Sequence, residues 1–193
     1  SEKEFLSGYS EVLKYSLIND KSFFYWLDHN YKKIIARDSE TMANIISKCC
    51  TKKAMIVKKD EKEKSHRMLL NLGHTFAHSI EKELNYKIRH GEAVSVGLLM
   101  SAKMSVLLGI AKPNTFNLIK AHHLKFKLPV SLKCLDKKKN WNTKNLLKNM
   151  LLDKKRTNKY IKFILLKDIG KAFIESKVKE EKIILNINEF INV

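Results

Sequence analysis

Residues 63–92 read EKSHRMLLNLGHTFAHSIEKELNYKIRHGE, and the rest of the chain is organised around this stretch. Taken as one α-helix at about 100° per residue, it brings Arg67, Asn71, His74 and His78 within roughly 60° of arc. Glu63 extends the same stripe one turn back. Met68, Leu69, Leu70, Leu72, Phe76, Ala77 and Ile80 flank it and leave few positions to face water. The ordinary explanation of a polar line on a helix is a solvated face. The apolar flanks argue against that here. A cation, an amide and two imidazoles bordered by packed surface need partners: a metal, a ligand or other polar side chains.

Working outward, the helix is expected to end near 84–85, and the linker NYKIRHG leads to a second helix over 92–108, with His90 and Gly91 at its start. In that second helix Ala93, Gly97, Ser101 and Ser105 recur every four residues. A stripe of small residues lets another helix approach closely, so this is read as a central core helix. Gly109 is a stop signal, and Pro113 opens a helix over 113–127. His122 and His123, near its end, are expected as surface groups.

Upstream, residues 5–18 pattern as a helix with Glu11 and Lys14 three apart on one face. The aromatic run 23–27 suits a short packed helix. Asp38 or Ser39 caps a long helix over 40–60 whose apolar stripe is Met42, Ile45, Ile46, Cys49, Cys50 and Ile56. A charged break follows at 60–64. Downstream come a Lys-rich loop at 133–144, a short helix at 145–152, two β-like runs either side of a DIGK turn at 168–171, and a terminal helix over 179–192. The expected fold class is mainly α: a multihelical domain, 1–193, with one small β-hairpin near the C-terminus.

At 193 residues and 44% hydrophobic, the chain can bury one core. No apolar run approaches the roughly 20 residues needed to span a membrane, and Ser1 to Glu4 do not begin a signal peptide. The first residue is Ser rather than Met, as expected of a fragment or a processed product. Cys49, Cys50 and Cys134 are an odd number without a CxxC pair, which points to a reducing, cytoplasmic setting and to buried structural thiols. The net charge of +18 invites a nucleic-acid partner. However, arginine occurs only at 37, 67, 89 and 156, and the lysines are spread along the chain among many Ile and Asn. That distribution speaks for compositional bias rather than one binding face.

Two imidazoles and a carboxylate, His74, His90 and Glu11, form a usual catalytic zinc ligand set with one open position. The spacing equally allows His74 and His78 to chelate together. Lys14, Lys53, Arg67, Asn71, His78 and the Lys154–Lys155 pair could bind an anionic ligand.

The motifs EVLKY at 11–15, NLGHTFAH at 71–78, HGEAV at 90–94 and DKK at 153–155 resemble, in order and separation, the 3-dehydroquinate synthase family. The resemblance runs from about residue 5 to about 180 and corresponds to that enzyme's C-terminal domain. It implies zinc (or cobalt) on Glu11, His74 and His90. It implies substrate contacts from Lys14, Lys53, Arg67, Asn71, His78 and a lysine of the 153–155 motif, with Lys154 favoured, and proton-transfer roles for Glu63 and His78. It further implies NAD⁺ as cofactor and a homodimer. The implied reaction converts the phosphorylated sugar acid 3-deoxy-D-arabino-heptulosonate 7-phosphate to 3-dehydroquinate and phosphate, the second step of the shikimate pathway. Tyr9 and Ser10 depart from the aliphatic residue and Ala expected beside the first motif. The chain has no GxGxxG and no βαβ alternation, so the nicotinamide-binding domain is expected N-terminal to it, and the chain alone is expected to be inactive. Two other readings are a different sugar-phosphate cyclase, such as a 2-deoxy-scyllo-inosose synthase-like enzyme, and, from another class, a basic helical nucleic-acid-binding module.

Overall fold

The structure, a computed structural model, describes residues 1–60, 66–155 and 161–191, with the side chains of Lys59, His66 and residues 153–155 outside the description. Of the charged break at 60–64, residues 61–64, including Glu63, lie outside the described residues, as does the Lys154 side chain.

The described residues form ten α-helices and one hairpin. Helix α1 (Glu2–Asn19) is capped by Ser1, whose hydroxyl accepts from the Glu4 amide, and carries Glu2 and Glu4 in its positive first turn. Asp20 ends α1 and caps α2 (Lys21–His29) by accepting from the Phe23 amide at 2.8 Å. Helix α3 (Tyr31–Ile35) is short. Helix α4 (Ser39–Lys59) begins at Asp38, as its capping chemistry predicts. Then come a 3₁₀-helix (His66–Asn71), α5 (His74–Glu83) and α6 (His90–Leu107). Helix α7 (Pro113–Lys125) opens on its proline, followed by α8 (Leu132–Leu135) and α9 (Thr143–Lys155). Strands β1 (Phe163–Asp168) and β2 (Lys171–Glu175) pair antiparallel around Gly170, and α10 (Glu180–Ile191) closes the chain. No helix among the described residues is long and apolar enough to cross a membrane.

Helix α6 is the centre of the molecule. It is buried nearly all round and packs against α1, α5, α7, α10 and β1. Its polar residues are absorbed locally. Ser95 donates to the Pro129 carbonyl, and Ser105 donates to the Ser101 carbonyl while accepting from the Leu166 amide.

Four expectations are corrected. The stretch 66–83 is not one helix: the 3₁₀ segment ends at Asn71, and Gly73 is left-handed (φ 82°) before α5 begins. The break is forced by close packing, because a Cβ on Gly73 would lie 2.9 Å from the Leu98 amide nitrogen and one on Gly97 only 2.3 Å from the Gly73 carbonyl oxygen. His122 and His123 are not surface groups but buried, at 1% and 0% exposure. The thiols are not buried: all three cysteines are free, Cys50 and Cys134 exposed and Cys49 half-buried. The stripe of α4 is narrower than expected, because Ile45, Cys49, Ile56 and Met42 share about 60° of arc while Ile46 and Cys50 fall beyond its edge and face solvent.

Candidate functional site

Two glycine contacts decide where the polar residues meet. Gly91, the second residue of α6, lies so close to α1 that a Cβ there would be 1.9 Å from the Ser7 carbonyl oxygen; its amide donates to the Ser7 hydroxyl at 3.1 Å. This contact sets Glu11, one turn further along α1, opposite His90 at the start of α6. The Gly73–Gly97 contact sets His74, the first residue of α5, against the same end of α6.

The three side chains converge. Glu11, His74 and His90 each offer a ligand atom, and these atoms lie within 4.8 Å of one another. The Glu11 Oε1 atom stands 3.8 Å from His74 Nε2 and 3.7 Å from His90 Nε2, while Oε2 takes an ion pair from Lys14 Nζ at 2.6 Å. The other ring nitrogens are engaged behind the site. His74 Nδ1 donates to the Leu72 carbonyl at 3.1 Å, and His90 Nδ1 donates to Glu81 Oε1 at 2.9 Å. With the proton on Nδ1, each ring when neutral presents its lone pair at Nε2. Burial, then the neighbouring Lys14 charge, pulls the His74 imidazole down to about 4, so it is neutral near pH 7.

Two lone pairs and a carboxylate oxygen thus face one another. Glu11 Oε1 is buried without a hydrogen-bond partner among the described residues. That arrangement fits a cation. Donors bound tetrahedrally to one zinc at about 2.1 Å lie about 3.4 Å apart, a few tenths less than the 3.8 and 3.7 Å that separate Glu11 Oε1 from the two Nε2 atoms.

The remaining predicted site residues divide. His78 is exposed one turn after His74, with its ring centroid 5.5 Å from that of His74 and 6.3 Å from that of His90; it is not one of the three residues whose ligand atoms converge. Lys14 reaches the cluster through Glu11. Arg67 is half-buried on the 3₁₀-helix, its amide donating to Asp60 Oδ2 at 3.0 Å, and Asn71 is exposed at the end of that helix. Lys53 is exposed on α4 and shares no hydrogen bond or ion pair with the cluster among the described residues. Beside the cluster a cleft of about 550 Å³ is lined by Thr75, His78, Ser79, Glu81, Asn149 and Leu152, among others. Sequence reasoning missed Glu81, although it sits seven residues after His74 and three after His78, on the same face of a helix.

The fold matches two solved structures over nearly the whole chain. One is 2-epi-5-epi-valiolone synthase from Streptomyces hygroscopicus with NAD⁺ and Zn²⁺ bound (TM-score 0.85, 18% identity, 100% of this chain and 52% of that one). The other is 2-deoxy-scyllo-inosose synthase complexed with carbaglucose-6-phosphate, NAD⁺ and Co²⁺ (TM-score 0.79, 20% identity, 98% and 53%). The chain therefore shares its fold with about half of each of these two proteins. Residues 8–156 match the family described as 3-dehydroquinate synthase C-terminal, and the chain belongs to that family. Curated relatives agree: 3-dehydroquinate synthase of Thermodesulfovibrio yellowstonii is 39% identical over 97% of this chain, and that of Campylobacter concisus 40% over 98%. The chain spans about half the length of these relatives, 51% and 52% respectively.

Proposed function

We propose that this chain is the metal- and substrate-binding half of a working 3-dehydroquinate synthase, an NAD⁺-dependent carbon–oxygen lyase that converts 3-deoxy-D-arabino-heptulosonate 7-phosphate to 3-dehydroquinate and phosphate. The observation that carries this reading is Glu11 Oε1, buried without a hydrogen bond and facing the Nε2 atoms of His74 and His90. These three residues would hold Zn²⁺, or Co²⁺ in its place. When bound, such an ion supplies a Lewis acid that polarises substrate hydroxyls and fixes their orientation.

The chain's own residues divide the remaining work. Lys14 holds the Glu11 carboxylate and brings a buried positive charge to the edge of the site. His78 is assigned proton exchange with a phosphate or hydroxyl, and its exposure on the cleft wall supports that assignment. Arg67, Asn71, Lys53 and Lys154 are assigned anion and hydroxyl contacts, and Glu63 a proton-transfer role, from the motifs that carry them. Most of the NAD⁺ site is assigned to a part of the protein outside this chain, so the chain by itself should be inactive. A homodimer in the cytoplasm, acting on a small phosphorylated sugar acid without nucleic acid or membrane, completes the proposal.

The test is phosphate release by the full-length protein with NAD⁺ and 3-deoxy-D-arabino-heptulosonate 7-phosphate, beside metal content. We expect close to one zinc per chain, lost together with activity in Glu11→Gln, His74→Ala and His90→Ala. Zinc retained in all three variants would overturn the ligand assignment. Phosphate release from glucose 6-phosphate but not from the heptulosonate would move the protein to the inosose synthase branch.

A further inference from the structure

His90 is the most exposed of the three proposed ligands, on the first residue of α6, where a ring is ordinarily free to turn. It is restrained from behind by Glu81. The Glu81 side chain is only 12% exposed, and His90 is the one polar partner that the described residues give its carboxylate. A nearly buried carboxylate with a single hydrogen bond costs stability. Glu81 lies on the face of α5 that carries His74 and His78, at the wall of the cleft, so its carboxylate is turned toward the site. What the carboxylate provides is orientation. Accepting from Nδ1–H leaves Nε2 with its lone pair aimed at Glu11, the same tautomer that the Leu72 carbonyl imposes on His74. It also places negative charge behind the ring, which strengthens Nε2 as a donor.

We infer that Glu81 is the positioning residue for His90, fixing its tautomer and ring plane and thereby setting the affinity of the metal centre. The inference rests on the zinc reading above. The test uses the full-length protein and its Glu81→Ala and Glu81→Gln variants. Two quantities are measured: zinc affinity by competition with a chromophoric chelator, and the His90 tautomer in the metal-free protein by ¹⁵N NMR of the ring nitrogens. We expect a parent ring protonated at Nδ1 and a loss of zinc affinity of about 10- to 100-fold in Glu81→Ala. Glu81→Gln should lose less and keep the tautomer, because its amide oxygen still accepts from Nδ1–H.

Zinc affinity within about twofold of the parent in Glu81→Ala, with the tautomer unchanged, overturns the inference. If Glu81→Ala does not fold, a parent ring protonated at Nε2 does the same. A parent that binds no zinc removes the metal reading, and the metal-free tautomer measurement still decides the role of Glu81.

Discussion

Glu11 is held at one oxygen and left without a hydrogen bond at the other. With no metal bound and both rings neutral, Oε1 faces two imidazole lone pairs, an arrangement that is repulsive as well as unsatisfied. An unsatisfied buried polar group costs about 1–3 kcal/mol. Glu11→Gln should therefore separate stability from function. Its amide N–H groups can donate to His74 Nε2 and His90 Nε2, while its oxygen still accepts from Lys14. The metal-free variant is expected to be as stable as the metal-free parent or more so, by about 1 kcal/mol, while no longer holding zinc. Urea unfolding of both proteins in chelator checks this, and a variant destabilised by more than about 1 kcal/mol would show that the Glu11–Lys14 ion pair outweighs the repulsion. Lys14→Met removes the other member of that pair and should act oppositely. It leaves the Glu11 carboxylate with only the rings of His74 and His90 beside it, so the metal-free protein should lose about 1–3 kcal/mol, and added zinc should recover part of the loss by supplying a positive neighbour.

At the scale of elements, the site exists because two glycine contacts let backbones touch. Gly91→Ala would put a methyl group 1.9 Å from the Ser7 carbonyl oxygen, a backbone atom that can move only with α1. The helix must shift by an ångström or so. The expected result is a loss of about 2–4 kcal/mol in denaturant unfolding together with reduced zinc content, because Glu11 moves away from His90. Unchanged zinc binding in a folded Gly91→Ala protein would show that this contact does not set the site. Part of this was legible in the sequence. The four-residue recurrence of Ala93, Gly97, Ser101 and Ser105 indicated close approach to α6, and Asp38 and Pro113 marked the starts of α4 and α7. The break before α5 was not legible. Met68 to Leu70, followed by Asn71 and Leu72, suits a 3₁₀-helix and an α-helix alike, and a lone glycine after such a run does not announce a positive φ. Only the facing backbone of Gly97, a long-range contact, shows why residue 73 must turn. His90 was placed near the start of a helix, but its partner Glu81 depends on the packing of α5 against α6. His122 and His123 were misplaced for a similar reason: their surroundings come from α1, α2 and α6, which local pattern does not reveal.

At the scale of the whole molecule, those two histidines make the fold sensitive to acid. His122 Nδ1 donates to Asp28 at 3.0 Å, and its Nε2 accepts from the Tyr9 hydroxyl at 3.0 Å, which ties α7 to α2 and α1. His123 lies 2.8 Å from the Ile119 carbonyl through Nδ1 and 3.2 Å from the Ser95 carbonyl of α6 through Nε2; a neutral ring donates to only one, and the shorter contact is the one satisfied. Burial holds His122 down to about 4, with the adjacent His123 adding to the effect and Asp28 opposing it. Burial likewise holds His123 at about 4 against its two carbonyl partners. Both rings are therefore neutral in the folded chain and titrate near the ordinary 6.5 once unfolded. Between those values the unfolded chain binds more protons, so stability is complete above pH 6.5 and falls as pH drops toward 4. The loss between pH 7 and pH 5 should be about 2 kcal/mol per histidine. The charge of +18 works in the same direction, since each added proton joins a molecule already strongly positive. Urea unfolding from pH 7 to pH 5 should show this fall, and His123→Met, which removes one of the two groups, should make it about half as steep. A parent whose stability is level over that range would mean that water or a rearrangement of α7 reaches the two rings before protonation can unfold the chain.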